Sequence, residues 1–365
     1  MENKRNILIC PLEWGLGHAA RMIALATRLR ELNYNVIIGA GEEHLALFRA
    51  EIPGIECIDF PGFKPGYSRY LPQYATLLLQ TPVLFYTIIS EHLRLRKIIR
   101  ENKINIVISD NRFGLWNRKI KTVYVTHQLR IPFPKTFRIF EFAGILFHRA
   151  IIMKYTFCFI PDLPDNKINL SGRLSHGIKL PGNAMYIGIL SRFTYMGSRS
   201  EDSPVSCRHN TVILSGPEPQ RSILGQKLEG ILKDKKPQTV FLGGRPDRDS
   251  AALQSDNIIF YNHMPGAAMK ELISGSERII TRSGYTTIME LISLHRSALL
   301  IPTPGQTEQE YLASWHQEKG WFSGTLQKHL RDSLPEAEIK IVPAEEIISQ
   351  SRSLLGEALK RISED

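Results

Sequence analysis

The chain has no apolar stretch long enough to cross a membrane. Roughly 18 or more uncharged residues would be needed, and the nearest run, Phe142–Phe159, is broken by His148, Arg149 and Lys154. No secretory leader is expected either, because residues 1–6 are polar and the apolar run Ile7–Cys10 is too short for one. Cysteine is scarce. Cys10, Cys57, Cys158 and Cys207 form no C-x-x-C pair, and their spacing suits neither zinc nor a disulfide framework. Such usage predicts buried, reduced thiols and a cytoplasmic compartment. A dinucleotide fingerprint is missing as well. The Gly15-Leu16-Gly17-His18 turn has no third glycine, and the second strand ends in Gly39-Ala40-Gly41 rather than an acid, which argues against NAD. The one D-x-D spacing, Asp247-Arg248-Asp249, falls in a polar loop and reads as a solvated turn.

What is present is an ordinary globular composition, 43% hydrophobic and 22% charged, over 365 residues. That length predicts two domains. The net charge of +10 is uneven. Residues 1–180 carry 25 Lys and Arg against 14 Asp and Glu, while residues 181–365 carry 21 against 22. A basic first half points to an anionic partner.

Strand-like and helix-like runs alternate from the start, the rhythm of a parallel sheet covered on both faces. Asn6–Cys10, Tyr34–Ala40, Ile104–Ser109 and Thr122–Val125 read as strands, and Arg21–Leu32 as a helix. The rhythm resumes with strands at Thr211–Leu214, Thr239–Leu242, Ile258–Tyr261, Arg278–Ile280 and Ala298–Ile301. Helices are expected at Gln220–Leu232, Ala267–Ser274, Thr286–Leu294 and Glu308–Lys319. Residues 191–210 are polar and aperiodic, as in a linker. The expected layout is therefore an α/β protein: a first domain over 1–190, a linker over 191–210, a second domain over 211–342, and a closing helix over 343–365 that packs back on the first domain.

Several segments carry candidate chemistry. After the first strand, Gly15–His18 lets the backbone approach a ligand and aims a helix N-terminus at it. Ser215-Gly216-Pro217-Glu218-Pro219-Gln220-Arg221 follows a strand, where open α/β sheets bind ligands; Ser215 and Gly216 offer backbone donors and Arg221 offers charge. Arg282-Ser283-Gly284 opens another helix, with Ser283 and Gly284 at its cap and Glu290 further along it. Thr307 is expected to cap a further helix, with Glu308 and Gln309 in its first turn. Each segment also has a plain structural reading: a tight turn, a solvated helix glutamate or a capped helix.

The order of these segments resembles GT-B glycosyltransferases, and most of all the family of the N-acetylglucosaminyltransferase that forms lipid II. Gly15–His18 looks like that family's G-x-G-G-H loop. Arg282–Glu290 resembles its R-S-G-x-x-T-x-x-E segment, and residues 302–313 its P-x-x-x-x-x-D/E-Q-x-x-N/A segment. Residues 186–192 resemble the stretch that ends its first domain. The resemblance implies two Rossmann-like, doubly wound parallel-sheet domains facing a central cleft. It also implies a UDP-sugar as co-substrate and no metal or other cofactor. The sugar would be an N-acetylhexosamine or hexose, and the acceptor a glycan or lipid-linked hydroxyl in cell-envelope glycan synthesis. Gly17, Ser215, Gly216, Arg221 and Arg282 would line the nucleotide-sugar site. Ser283 and Gly284 would meet the diphosphate, Glu290 the ribose, and Glu308 and Gln309 the sugar. Inversion needs a general base; His18 is the first candidate and Asp110 the second. Roles for His18 in binding substrate or simply starting a helix stay open. The bulkier Glu13-Trp14 in the first loop departs from the family pattern.

Two further segments stand out. Pro72–Arg100 and Ile131–Phe159 mix aliphatic and aromatic residues with Arg94, Arg96, Lys97, Arg100, Arg149 and Lys154. They suit peripheral contact with an anionic surface on the inner face of the membrane, or else amphipathic helices that merely cover the sheet. A nucleotide-sugar hydrolase or 2-epimerase on the same fold is the competing enzyme reading. A basic nucleic-acid binder is the other, but no nucleic-acid module motif is present, so no nucleic-acid partner is expected.

Overall fold

The computed structural model describes residues 4–66, 79–132, 141–196, 208–246, 253–331, 333–335 and 341–364. The first sheet has seven strands: β1 (Asn6–Cys10), β2 (Asn35–Ala40), β3 (Glu56–Asp59), β4 (Ile104–Asp110), β5 (Lys121–Val125), β6 (Phe157–Ile160) and β7 (Ala184–Tyr186). Their order is β3-β2-β1-β4-β5-β6-β7, and every pairing is parallel. The helices on this side are α1 (Leu16–Glu31), α2 (Glu42–Glu51), α3 (Thr81–Glu101) and α4 (Glu141–Ile152).

The second sheet repeats the plan. It contains β8 (His209–Ile213), β9 (Gln238–Leu242), β10 (Leu253–Ser255), β11 (Ile258–Tyr261), β12 (Ser276–Thr281), β13 (Leu299–Leu300) and β14 (Ser323–Gly324). Their order is β10-β11-β9-β8-β12-β13-β14, parallel except for the β10–β11 pair at one edge. Its helices are α5 (Gln220–Leu232), α6 (Gly266–Gly275), α7 (Tyr285–Ser293), α8 (Thr307–Glu318) and the closing α9 (Ala344–Ser363). In both sheets the winding reverses beside the first strand, between β1 and β4 and between β8 and β12. Open α/β sheets bind ligands at the carboxyl ends of the strands flanking such a reversal.

The halves share their cores. Leu163, Ile168, Leu170 and Leu174, from between β6 and β7, pack with Ile288, Ile292 and Phe322 of the second half. Asp162 fastens this excursion, accepting the Leu163, Leu170 and Ser171 amides at 2.8–2.9 Å. In return α9 gives Ile347 and Ile348 to the second core and Leu355, Ala358, Leu359 and Ile362 to the first. It comes so close to the crossover that a side chain at Gly188 (φ +74°) would strike the Ser351 backbone. Ser191, Arg192 and Phe193 are buried in this joint, unlike the solvated linker expected from their polarity. No helix among the described residues is long and apolar enough to cross a membrane.

Candidate functional site

Three carboxyl ends at the first reversal carry the polar groups of the site. His18 sits in the first turn of α1, just past β1; Asp110 is the last residue of β4; His127 lies two residues beyond β5. Arg21, one helical turn after His18, reaches all of them. Its Nε donates to Asp110 Oδ2 at 3.0 Å, and its Nη2 contacts Asp110 Oδ1. Its Nη1 lies 3.1 Å from His127 Nδ1. His18 Nδ1 lies 2.9 Å from Asp110 Oδ2. Asp110 is fully buried and Arg21 is 1% exposed, whereas the His18 side chain is 20% exposed. His18 is therefore the member of the group that solvent or a substrate can reach.

Charge fixes the protons in this network. Burial alone would raise the Asp110 carboxyl, but Arg21 and His18 beside it bring it down to about 2. His18 Nδ1 lies 2.9 Å from both this carboxylate, which can only accept, and Arg21 Nη2, which can only donate. His18 Nε2 has no hydrogen-bond partner among the described residues. Burial lowers His127 below the ordinary imidazole value, against the pull of Glu308. Neutral His127 accepts from Arg21 at Nδ1 and donates from Nε2 to Glu308 Oε1 at 2.8 Å. Glu308 belongs to α8 of the other half. Burial works to raise its carboxyl too, and contact with His127 holds it below the ordinary value.

The first turn of α7 faces this network. Gly284 is its N-cap, so the amides that follow have no intrahelical partner. The Tyr285 ring stacks on His127 at 4.1 Å and 3°, and its hydroxyl donates to the Pro161 carbonyl at 2.7 Å. Thr286 Oγ1 donates to the Gly17 carbonyl at 3.0 Å. Thr307 does not cap α8, since Gln306 holds that position; its hydroxyl donates instead to Pro132 of the first half at 2.9 Å. Glu13, whose bulk departs from the expected loop, accepts the Gly41 amide at the N-cap of α2.

Several residues expected to meet a ligand directly are committed to the protein. Arg282 is fully buried and holds the carbonyls of Ile301, Pro302 and Gln220 at 2.8–3.2 Å. It ties the segment after β13 to the start of α5. The Ser283 hydroxyl is also buried and donates to the Gln309 carbonyl. The Gln309 side-chain oxygen takes the Thr303 amide. Arg221 binds the Gly244 carbonyl and Glu218. Glu308 is bonded to His127, with its side chain 22% exposed. Glu290 is not a solvated helix residue: it is 6% exposed and paired with Arg192 Nε at 2.8 Å. Gly17 packs on Thr286 at the seam between the halves. Ser215 and Gly216 (φ +93°) stand in the loop after β8, at the second reversal. Asp247 and Asp249 lie outside the described residues.

Arg21, His127 and Arg192 were not anticipated. Arg21 was legible as the i+3 neighbour of His18, and His127 as a histidine just past a strand end. Nothing in the spacing marks Arg192.

Residues 243–362 match the glycosyltransferase family 28 C-terminal domain. Over that segment the chain resembles the family 28 glycosyltransferases, and the whole chain has the GT-B fold. A Methanosarcina acetivorans protein described as an uncharacterized glycosyltransferase is 24% identical over 323 residues, spanning 84% of this chain and 82% of that protein. The fold likeness covers nearly the whole chain. The kitacinnamycin glycotransferase superposes with a TM-score of 0.64 at 13% identity over 99% of both chains. SnogD from Streptomyces nogalater gives 0.56 at 17% identity over 97% of this chain and 96% of its own.

Proposed function

We propose that this glycosyltransferase moves a hexose or N-acetylhexosamine from a UDP-sugar to an acceptor hydroxyl in a single inverting displacement. The observation that carries the reading is the His18–Asp110 pair set opposite the first turn of α7. Asp110 orients His18 and stabilises the imidazolium that forms, and the Nε2 lone pair takes the acceptor proton. As the glycosidic bond breaks, charge grows on the departing diphosphate. The free amides and dipole of α7, with those of the Ser215-Gly216 loop, meet that charge and serve in place of a metal ion. Glu290 receives the ribose hydroxyls.

The acceptor side suits a lipid-borne hydroxyl. On α3, Val83, Phe85, Tyr86, Ile89 and Leu93 are all at least half exposed, as are Phe142 and Leu146 on α4. α3 buries Leu95 and Ile98 against the sheet and turns Val83, Phe85, Tyr86, Ile89 and Leu93 outward. A contiguous exposed apolar face of this kind marks an interaction surface. The exposed Arg94, Arg96, Lys97 and Arg100 follow it along α3, and each cation near an anionic membrane contributes about 1 kcal/mol.

The test is UDP release from a panel of UDP-sugars, with and without acceptor. Acceptor-dependent release with a β-linked product from an α-linked donor is expected. His18→Ala should lower the chemical rate by about 10²–10⁴ and leave UDP affinity unchanged. Rapid UDP release without acceptor would favour the hydrolase reading instead.

A further inference from the structure

Arg192 lies outside the network around His18, yet it joins three parts of the molecule. It sits in the turn after the crossover, with only 7% of its side chain exposed. Its Nε donates to Glu290 Oε1 on α7 at 2.8 Å. Its Nη1 donates to Glu51 Oε1, at the end of α2 in the facing domain, at 3.1 Å. Its Nη2 contacts the Met269 sulfur on α6 at 3.1 Å. Glu51 in turn abuts the first residue of α6, since a side chain at Gly266 would run into its Oε2. A carboxylate suits that helix N-terminus. Glu290 Oε2 has no hydrogen-bond partner among the described residues.

We propose that Arg192 is a positioning residue for nucleotide binding. It holds Glu290 by one carboxylate oxygen, leaves the other for a ligand hydroxyl, and through Glu51 ties the nucleotide site to closure of the facing domain. This rests on the UDP-sugar reading above. The fork of a guanidinium is required, because one lysine ammonium cannot span both carboxylates in this way. The charged groups around Glu290 are Arg192 and Glu51, with His263 facing Arg192. Burial raises the Glu290 carboxyl and Arg192 opposes that rise. Burial lowers His263, which is neutral at neutral pH and above.

The experiment is calorimetric UDP binding between about pH 6.5 and 8.5, together with kcat. Wild-type binding should be flat over this range. In Arg192→Gln, Glu290 loses its counter-charge and keeps a proton at the acid end. UDP affinity should then fall relative to wild type, most at the acid end, and recover towards it as pH rises. Arg192→Lys keeps the charge but not the fork, so UDP binding should stay flat with pH while kcat falls. Glu51→Gln should hold UDP affinity within about twofold and lower kcat, because it removes only the arm to the facing domain. Arg192→Gln with wild-type affinity and a flat profile would overturn the proposal and leave the UDP-sugar reading intact. So would Glu51→Gln that loses UDP as fully as Arg192→Gln, since the triad would then be one structural knot. If Arg192→Gln does not fold, the Lys and Glu51 variants decide the question. Wild-type protein that fails to bind UDP would refute the underlying reading, and the proposal with it.

Discussion

Replacing Asp110 by asparagine separates the structural and chemical uses of one carboxylate. Its pKa falls from the ordinary 3.8 to about 2 in the folded protein. At about 1.4 kcal/mol per unit, the ionised form contributes roughly 2–3 kcal/mol to stability. A depressed carboxyl stabilises the fold above its unfolded value. The contribution is complete above about pH 5 and disappears as pH falls through about 2. Asparagine copies the shape of the protonated acid, so Asp110→Asn should cost the same 2–3 kcal/mol at pH 7. Asp110→Ala also leaves a cavity beside buried Arg21, and its loss should approach the roughly 3–5 kcal/mol of a broken buried pair. A protein of ordinary stability, about 5–15 kcal/mol, survives either change. Urea unfolding at a series of pH values supplies the measurement. The gap between wild type and Asp110→Asn should shrink from pH 5 towards pH 2. Turnover at pH 7 should fall by about 10²–10⁴, because asparagine cannot stabilise the imidazolium. A gap that does not change with pH would refute the electrostatic account. A folded Asp110→Asn enzyme with near wild-type turnover would remove Asp110 from the mechanism.

Two other predictions need only simple assays. Burial pushes the Cys10 thiol up to about 12 and raises Cys158 as well, so iodoacetamide should modify neither in native protein at pH 8 while labelling part-exposed Cys57; mass spectrometry of the labelled peptides checks this. Sedimentation with vesicles should need anionic lipid, weaken with salt, and drop when Arg94, Arg96, Lys97 and Arg100 become glutamine; protein left in the supernatant with anionic vesicles at low salt would point to a soluble acceptor.

The βα rhythm was legible because buried parallel strands are written as continuous apolar runs. The bounds of β1, β11 and α5 agree with the sequence reading. Other strands carry no such pattern. All of β10 is exposed at an edge, and β14 is two residues long. The protein partners of the charged residues were not legible: Arg282 stands just past a strand and Glu290 within α7. Their partners lie 19–62 residues away for Arg282 and 98 for Glu290, beyond the reach of any local spacing rule. His18 and Asp110 were each legible as strand-end residues. That they form one pair follows from the adjacency of β1 and β4, which skips two strands in sequence.

The seam between the domains makes the last prediction. On one side the halves are joined by shared cores, with the 162–174 excursion packed into the second and α9 into the first. That side cannot part without exposing large apolar surface. On the other side the joint includes, among the described residues, the Gly17–Thr286, His127–Glu308, Pro132–Thr307 and Pro161–Tyr285 hydrogen bonds and the Tyr285–His127 stack. Net hydrogen bonds of this kind contribute only about 0.5–1.5 kcal/mol each. Opening about the α9 joint would break this polar side, and under the proposed function the UDP-sugar would enter where Gly17 touches Thr286. A Cβ at position 17 would lie 3.5 Å from Thr286 Cβ, within the range spanned by a disulfide. The Gly17→Cys, Thr286→Cys double variant should oxidise readily and lose turnover and UDP binding together. Both should return on reduction, and each single variant should stay active and indifferent to reductant. If the oxidised double variant, shown by mass to carry the cross-link, still binds UDP and turns over, donor entry does not need the seam to open.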